Sequence, residues 1–288
     1  MEQKTIGVLS ILAASIMWAV EPILAKLSYS NSNFLQTSAI RSFVIVFIAA
    51  AYATATNRGN FKVNKTQLYA LFYIAAAATL IAELVYFYAI AKIPVVNAVL
   101  IGHFQPVFIV LFGYLILKEE KLSGFDYLGI FFMIAAGLLV STRTLGNLMM
   151  LRIGTLADFL VLASAVLWAT TAIATRKYLK GLNSGVISFY RYLIASAAFA
   201  AYLALTSSIK ISNIYQILVG IAVGIGSILY YEGLKRLKAS QVGALELSAP
   251  LFAAIFSFFI LGEKITLMQA FGIALLFFGV YFLSKKEG

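Results

Sequence analysis

Apolar runs of about 20 residues recur along the whole 288-residue chain, each closed by a short polar break. As a helix, a run of that length crosses the hydrocarbon core of a bilayer. Ten spans are expected, at roughly 6–26, 34–56, 67–91, 95–117, 124–142, 155–175, 184–206, 213–234, 239–261 and 266–284. The two-residue alternation of barrel strands is absent. A backbone in lipid has to satisfy its own hydrogen bonds, so each run is predicted to be helical. The first run, reaching Ala25, is long for a signal peptide, and another apolar run follows it rather than a soluble domain.

Composition strengthens this picture. The chain is 62% hydrophobic and only 11% charged, against about 25% charged in soluble domains. No segment is left over for a soluble domain. The formal net charge of +11 could indicate nucleic acid, but the basic residues sit in the breaks between runs, with no basic-aromatic face. Placed in a ten-span topology, fourteen Lys and Arg residues share the N-terminal side and six lie opposite, with Arg41 and Arg191 inside spans. That bias predicts both termini in the cytoplasm. There is no cysteine and His103 is the one histidine, which argues against thiolate chemistry or a multi-histidine metal site. No cofactor is expected. The partners expected are a small-molecule substrate and membrane lipid, with the chain a monomer or homodimer and no nucleic acid bound.

The two halves echo one another. Trp18-Ala19 with Lys26 matches Trp168-Ala169 with Arg176, and Arg41 matches Arg191, both at an offset of 150 residues. Ile90-Ala91-Lys92 matches Leu234-Lys235-Arg236, and Pro106 matches Pro250, at an offset of 144. The longer loop 57–66 in the first half accounts for the change. Spans 4 and 9 both end in Leu-x-Glu patterns (Leu117-Lys118-Glu119-Glu120 and Leu261-Gly262-Glu263), each followed by a glycine-bearing span. Repeats of five spans begin on opposite sides of the membrane. The expected fold is therefore an all-α integral membrane protein of ten transmembrane helices in two inverted five-helix repeats, over 1–142 and 155–288, joined by a linker at 143–154. Inverted repeats with a site at their interface are a recurrent build of secondary transporters, because each half can exchange conformation with the other.

These features resemble the EamA type of the drug/metabolite transporter superfamily. The resemblance rests on Trp-Ala in spans 1 and 6, arginine in spans 2 and 7, and Leu261-Gly262-Glu263-Lys264 before the Gly272-x6-Gly279 span. It covers nearly the whole chain. It implies a carrier of amino acids, other small metabolites or toxic compounds, often an exporter, with a central cavity lined mainly by spans 1, 3, 4, 6, 8 and 9. Glu21-Pro22 and the paired Glu119-Glu120 depart from the family pattern.

Ionisable groups inside a span are costly and mark candidate sites. Glu21, one turn after Trp18, is either a substrate or coupling acid or half of a structural ion pair. Pro22 beside it is expected to kink the helix. Glu83, with Tyr86 and Phe87 at i+3 and i+4, is either a pocket for a cationic ligand or a buried neutral acid. His103 and Gln105 lie about 200° apart on a regular helix. Pro106 is expected to free the carbonyl of Gly102, and Pro250 that of Glu246. Glu246 would then offer an acid and a loose carbonyl together. Tyr230 and Ser227 share a face of span 8. Trp18 and Trp168 either stack a ligand or pack between helices. Arg41 and Arg191, being symmetric, are read as scaffold braces, and Glu232 as a partner of Lys235 or Arg236. Glu119, Glu120 and Glu263 are read as solvated or capping residues. Gly220-x3-Gly224 signals close helix packing.

A proton taken up at Glu21, Glu83 or Glu246 is expected to couple to transport. No P-loop is present, which argues against ATP-driven pumping. A membrane enzyme on lipid-linked substrates would need a nucleophile or metal cluster, and none is visible; a channel remains the other alternative. No residue is expected to be catalytic.

Overall fold

The computed structural model describes residues 2–117, 124–151, 154–206, 210–237, 242, 245–246 and 248–284. Seven helices are long and apolar enough to cross a membrane. They are α1 (Glu2–Ser28), α2 (Phe34–Asn57), α3 (Lys65–Ile90), α4 (Val95–Ile116), α6 (Leu156–Tyr178), α7 (Ser184–Thr206) and α8 (Ile214–Arg236). Three shorter apolar helices stand where the remaining spans are expected: α5 (Gly124–Thr142), α9 (Ser248–Leu261) and α10 (Leu267–Ser284). The outward faces of the helices are apolar: Phe47, Tyr69, Leu205 and Phe259 are each more than 70% exposed, which only an apolar solvent tolerates on this scale.

Helix starts follow the local chemistry. Asn33, Thr155 and Asn213 each accept a hydrogen bond from a backbone N–H three residues on, satisfying a donor that the first turn leaves free. Asn64 and Gln67 cap α3 reciprocally. Between the repeats, the linker carries a short helix, Leu145–Met149, capped by Thr144.

Helices pack across the repeats rather than within them. Helix α1 lies against α8 and α9, and α6 against α3 and α4; α2 lies against α7 and α8, and α7 against α2 and α3; α5 lies against α10. Exchanging each helix for its equivalent five places on returns the same set of pairs. Two pairs of equivalent helices, α2 with α7 and α5 with α10, also run antiparallel. The start of α7 meets the end of α2, where a Cβ on Gly185 would lie 2.8 Å from the Ala53 nitrogen and 2.9 Å from the Ala49 oxygen. The start of α10 meets the end of α5, with Gly272 against Val140 and Gly279 against Met133. Two copies related in this way are inverted repeats.

The glycines predicted to allow close packing do so. Gly220 of α8 faces Val44 and the Arg41 carbonyl, and Gly224 faces Ile48. Helix α1 stays helical through Pro22. Helix α4 breaks at His103–Phe104, between Val95–Gly102 and Gln105–Phe112, so the angular separation of His103 and Gln105 on one regular helix does not apply. Pro106 falls in the first turn after that break, where a missing N–H costs least. Helix α3 carries a nine-residue π segment, Ala75–Glu83, that its equivalent α8 lacks. Glu119, Glu120 and Gly243 lie outside the described residues.

Candidate functional site

Two aromatic pairs mark the interface between the repeats. Trp18 of α1 lies 4.9 Å from Tyr230 of α8, and Trp168 of α6 lies 5.3 Å from Tyr86 of α3, centroid to centroid. Trp168 is Trp18 displaced by 150 residues, and Tyr230 is Tyr86 displaced by 144. The internal symmetry therefore maps one pair onto the other. Both are packed in tilted or edge-on geometry, the preferred arrangement of aromatic quadrupoles.

Between the pairs lies a buried charge cluster. Arg41 and Arg191 converge there because α2 and α7 pack on one another. Both donate through Nη2 to Glu83, Arg41 to Oε2 and Arg191 to Oε1. The Tyr192 hydroxyl adds a third bond to Oε1 at 3.0 Å. Arg191 also donates from Nε to the Thr79 hydroxyl at 2.9 Å and reaches the Tyr231 hydroxyl at 3.5 Å. Arg41 lies over the Phe87 ring at 4.3 Å. Glu83 thus sits in a two-arginine clamp, neither open to a ligand nor a neutral acid alone between helices. The π segment ends at Glu83, and Thr79 and Glu83, four residues apart, share the face toward Arg191.

Glu21 is held more loosely. Its Oε1 stands 3.6 Å from Arg41 Nη1, an ion pair without a hydrogen bond. Arg41 is fully buried, yet its Nε and Nη1 have no hydrogen-bond partner. Their immediate surroundings are the Glu21 carboxylate and the Phe87 face.

Glu246 is different again. It is half-buried in helical backbone just before α9, close to Tyr230. No ion pair joins it to a basic side chain among the described residues. His103, at the break in α4, places Nδ1 2.7 Å from the Val99 carbonyl and lies near the Glu246 backbone. Gln105 is half-buried at the start of the second half of α4. The break in α4 and the segment before α9 therefore approach one another at His103.

Glu232 pairs with both Lys235 and Arg236, at 2.9 and 2.5 Å, and accepts from Ser184 at 2.6 Å. Two surface recesses, one at Gly59–Lys62 with Tyr190 and one among Tyr29, Asn33, Tyr88 and Lys92, are not lined by Glu21, Glu83 or Glu246. Among the described residues, no three His, Asp or Glu side chains gather into a metal-sized cluster. Sequence reasoning missed two polar contacts between repeats. Asn97 of α4 bonds Gln269 of α10 and Asp158 of α6. Glu263 is a capping residue, one of its two sequence readings, but the N-terminus it caps is that of α4 in the other repeat. Hydropathy carries no signal for either, since both depend on which helix ends and loops the packing brings together.

A bundle of apolar helices in two antiparallel copies, with paired arginines and tryptophans at their interface, defines a two-repeat membrane transporter. The chain belongs to the EamA-like transporter family, whose profile matches residues 5–142 and 155–285. It is 27% identical to an uncharacterized transporter of Methanothermobacter thermautotrophicus over 299 aligned residues, spanning 96% of this chain and 85% of that one. It is also 27% identical to an uncharacterized transporter of Synechocystis sp., spanning 76% of this chain and 66% of that one. A solved crystal structure shares the fold at a TM-score of 0.68 and 18% identity, covering 96% of this chain and 95% of that one.

Proposed function

We propose that this chain is a secondary carrier that exports small organic solutes, such as amino acids, related metabolites or toxic compounds, by alternating access. Both termini face the cytoplasm of the cell that bears it in its plasma membrane, as the distribution of Lys and Arg favours. Family membership and the name of transporter borne by its relatives support the general reading.

One observation carries the chemical part. Glu21, Glu83 and Glu232 each have a basic partner, whereas Glu246 has none among the described residues. An isolated carboxylate in low dielectric is costly. A proton, or the cationic group of a solute, completes the site. Glu246 stands beside Tyr230 of one aromatic pair and against His103 of the broken helix. Glu246 is therefore the coupling or cation-binding acid, with Trp18 and Tyr230 shaping the space next to it. Glu83 holds the two repeats in register, and Glu21 tunes the charge of Arg41. Transfer of one charge across 100 mV is worth about 2.3 kcal/mol, enough to bias the direction of flux.

The test is exchange of labelled solute in proteoliposomes, using a solute found by thermal-shift screening. Counter-transport that responds to a pH gradient is expected, with the response absent in Glu246→Gln. Flux far above carrier rates without counter-transport points to a channel and ends the proposal. A pH response unchanged in Glu246→Gln removes Glu246 from the coupling role.

A further inference from the structure

Helix α4 begins without a cap of its own. Its N-cap residue is Pro94, which offers no side-chain acceptor, so the first-turn donors have to find one elsewhere. Glu263 supplies it from the other repeat. Its carboxylate accepts from the Val95 N–H, at 2.8 Å to Oε2 and 3.1 Å to Oε1. The same carboxylate pairs with Lys26 at the end of α1, at 2.7 Å, and Lys26 also donates to the Ile93 carbonyl at 3.2 Å. Glu263 is aimed there by its own neighbour. Gly262 adopts a left-handed backbone, φ +68°, that ends α9 and turns the chain back. One side chain thus ties the loop after α9, in the second repeat, to α1 and α4, in the first.

Just inside this tie, Val99 packs with Ala19 and Ile23 of α1 and Ala253 of α9, so helices of both repeats meet there. If access alternates by moving one repeat against the other, this end cannot open while the carboxylate holds both helices. We propose that Glu263 is a positioning residue of the transport cycle, a latch that keeps the Lys26 end closed in this conformation. The proposal rests on the alternating-access reading, and extends it to a residue remote from the charge cluster and from Glu246.

The absence of native cysteine allows single-cysteine reporters. Val99→Cys reports the Lys26 end. Val242→Cys, buried with Ile11 and Leu237, reports the opposite end. In proteoliposomes, Glu263→Ala is expected to speed maleimide labelling at Val99→Cys by about three- to tenfold, the weight of one cap and one partly buried ion pair. Labelling at Val242→Cys slows in the same variant, because the equilibrium moves and the fold does not loosen. Lys26→Met, which keeps the cap and removes the pair, gives a smaller change of the same sign. An unchanged Val99→Cys rate in folded Glu263→Ala overturns the latch, and so does faster labelling at both reporters together. Counter-transport by the parent protein tests the underlying reading separately. A parent that exchanges solute while its Glu263→Ala form labels normally loses the latch alone; a parent without exchange loses alternating access.

Discussion

At the residue scale, the intramembrane acids differ in what neutralises them, and their substitutions should differ accordingly. Removing the charge of Glu83 leaves Arg41 and Arg191 facing each other, buried and without their shared counter-ion. Breaking a buried pair from one side costs about 3–5 kcal/mol. Glu83→Gln should therefore lower the melting temperature in detergent sharply, or prevent accumulation in the membrane. Glu246→Gln removes an acid that has no basic partner among the described residues, so its melting temperature should match or exceed that of the parent while pH-responsive transport is lost. A Glu83→Gln protein as stable as the parent would contradict the clamp. The sequence makes every one of these residues conspicuous, because a charge in an apolar run stands out. Which arginine meets which acid is not legible there. Helical periodicity gives a face, and the rotation of each face is set by packing that only the assembled bundle shows.

At the element scale, apolar run length carries most of the helix positions, and the antiparallel sense of the copies follows from the odd number of spans per repeat. The π segment Ala75–Glu83 and the break at His103–Phe104 are not legible in the same way. A shift from i+4 to i+5 hydrogen bonds leaves hydropathy untouched, and Pro106 marks the neighbourhood of the break without fixing its place. The glycines offer a clean test of packing. A Cβ on Gly220 would lie 2.6 Å from the Val44 Cβ and 2.9 Å from the Arg41 carbonyl oxygen, whereas one on Gly146 meets nothing within 4 Å. Gly220→Ala should destabilise by about 1–3 kcal/mol, since neighbouring backbone has to move. Gly146→Ala should be neutral or slightly stabilising, as alanine is the better helix former. Thermal unfolding of the two variants side by side reads the difference.

At the scale of the whole molecule, loops of the two repeats meet at both ends of the bundle. Asn213 bonds Asn31 and the Ser28 carbonyl at one end, and Asn183 bonds Thr56 at the other. The proposed orientation, with both termini in the cytoplasm, would place the first end outward and the second inward. A cysteine at exposed Asn31 should react with an impermeant maleimide added to intact cells, and one at exposed Arg58 only after the cells are opened. The reverse pattern overturns the assigned orientation, and labelling of both from outside overturns the count of spans between them.

The central cluster also bears on why both halves reside in one polypeptide. Its arginines are duplicated, but its acids are not: Thr171 stands where the first half has Glu21, and Ser227 where it has Glu83. A dimer of the second half alone would bury two guanidinium groups with no carboxylate from those positions, and a dimer of the first half would confront them with four. Only the heterologous pairing reaches neutrality. Divergence after duplication has thus made each half the obligate complement of the other, and a gene split at the linker should yield function only when both fragments are made together.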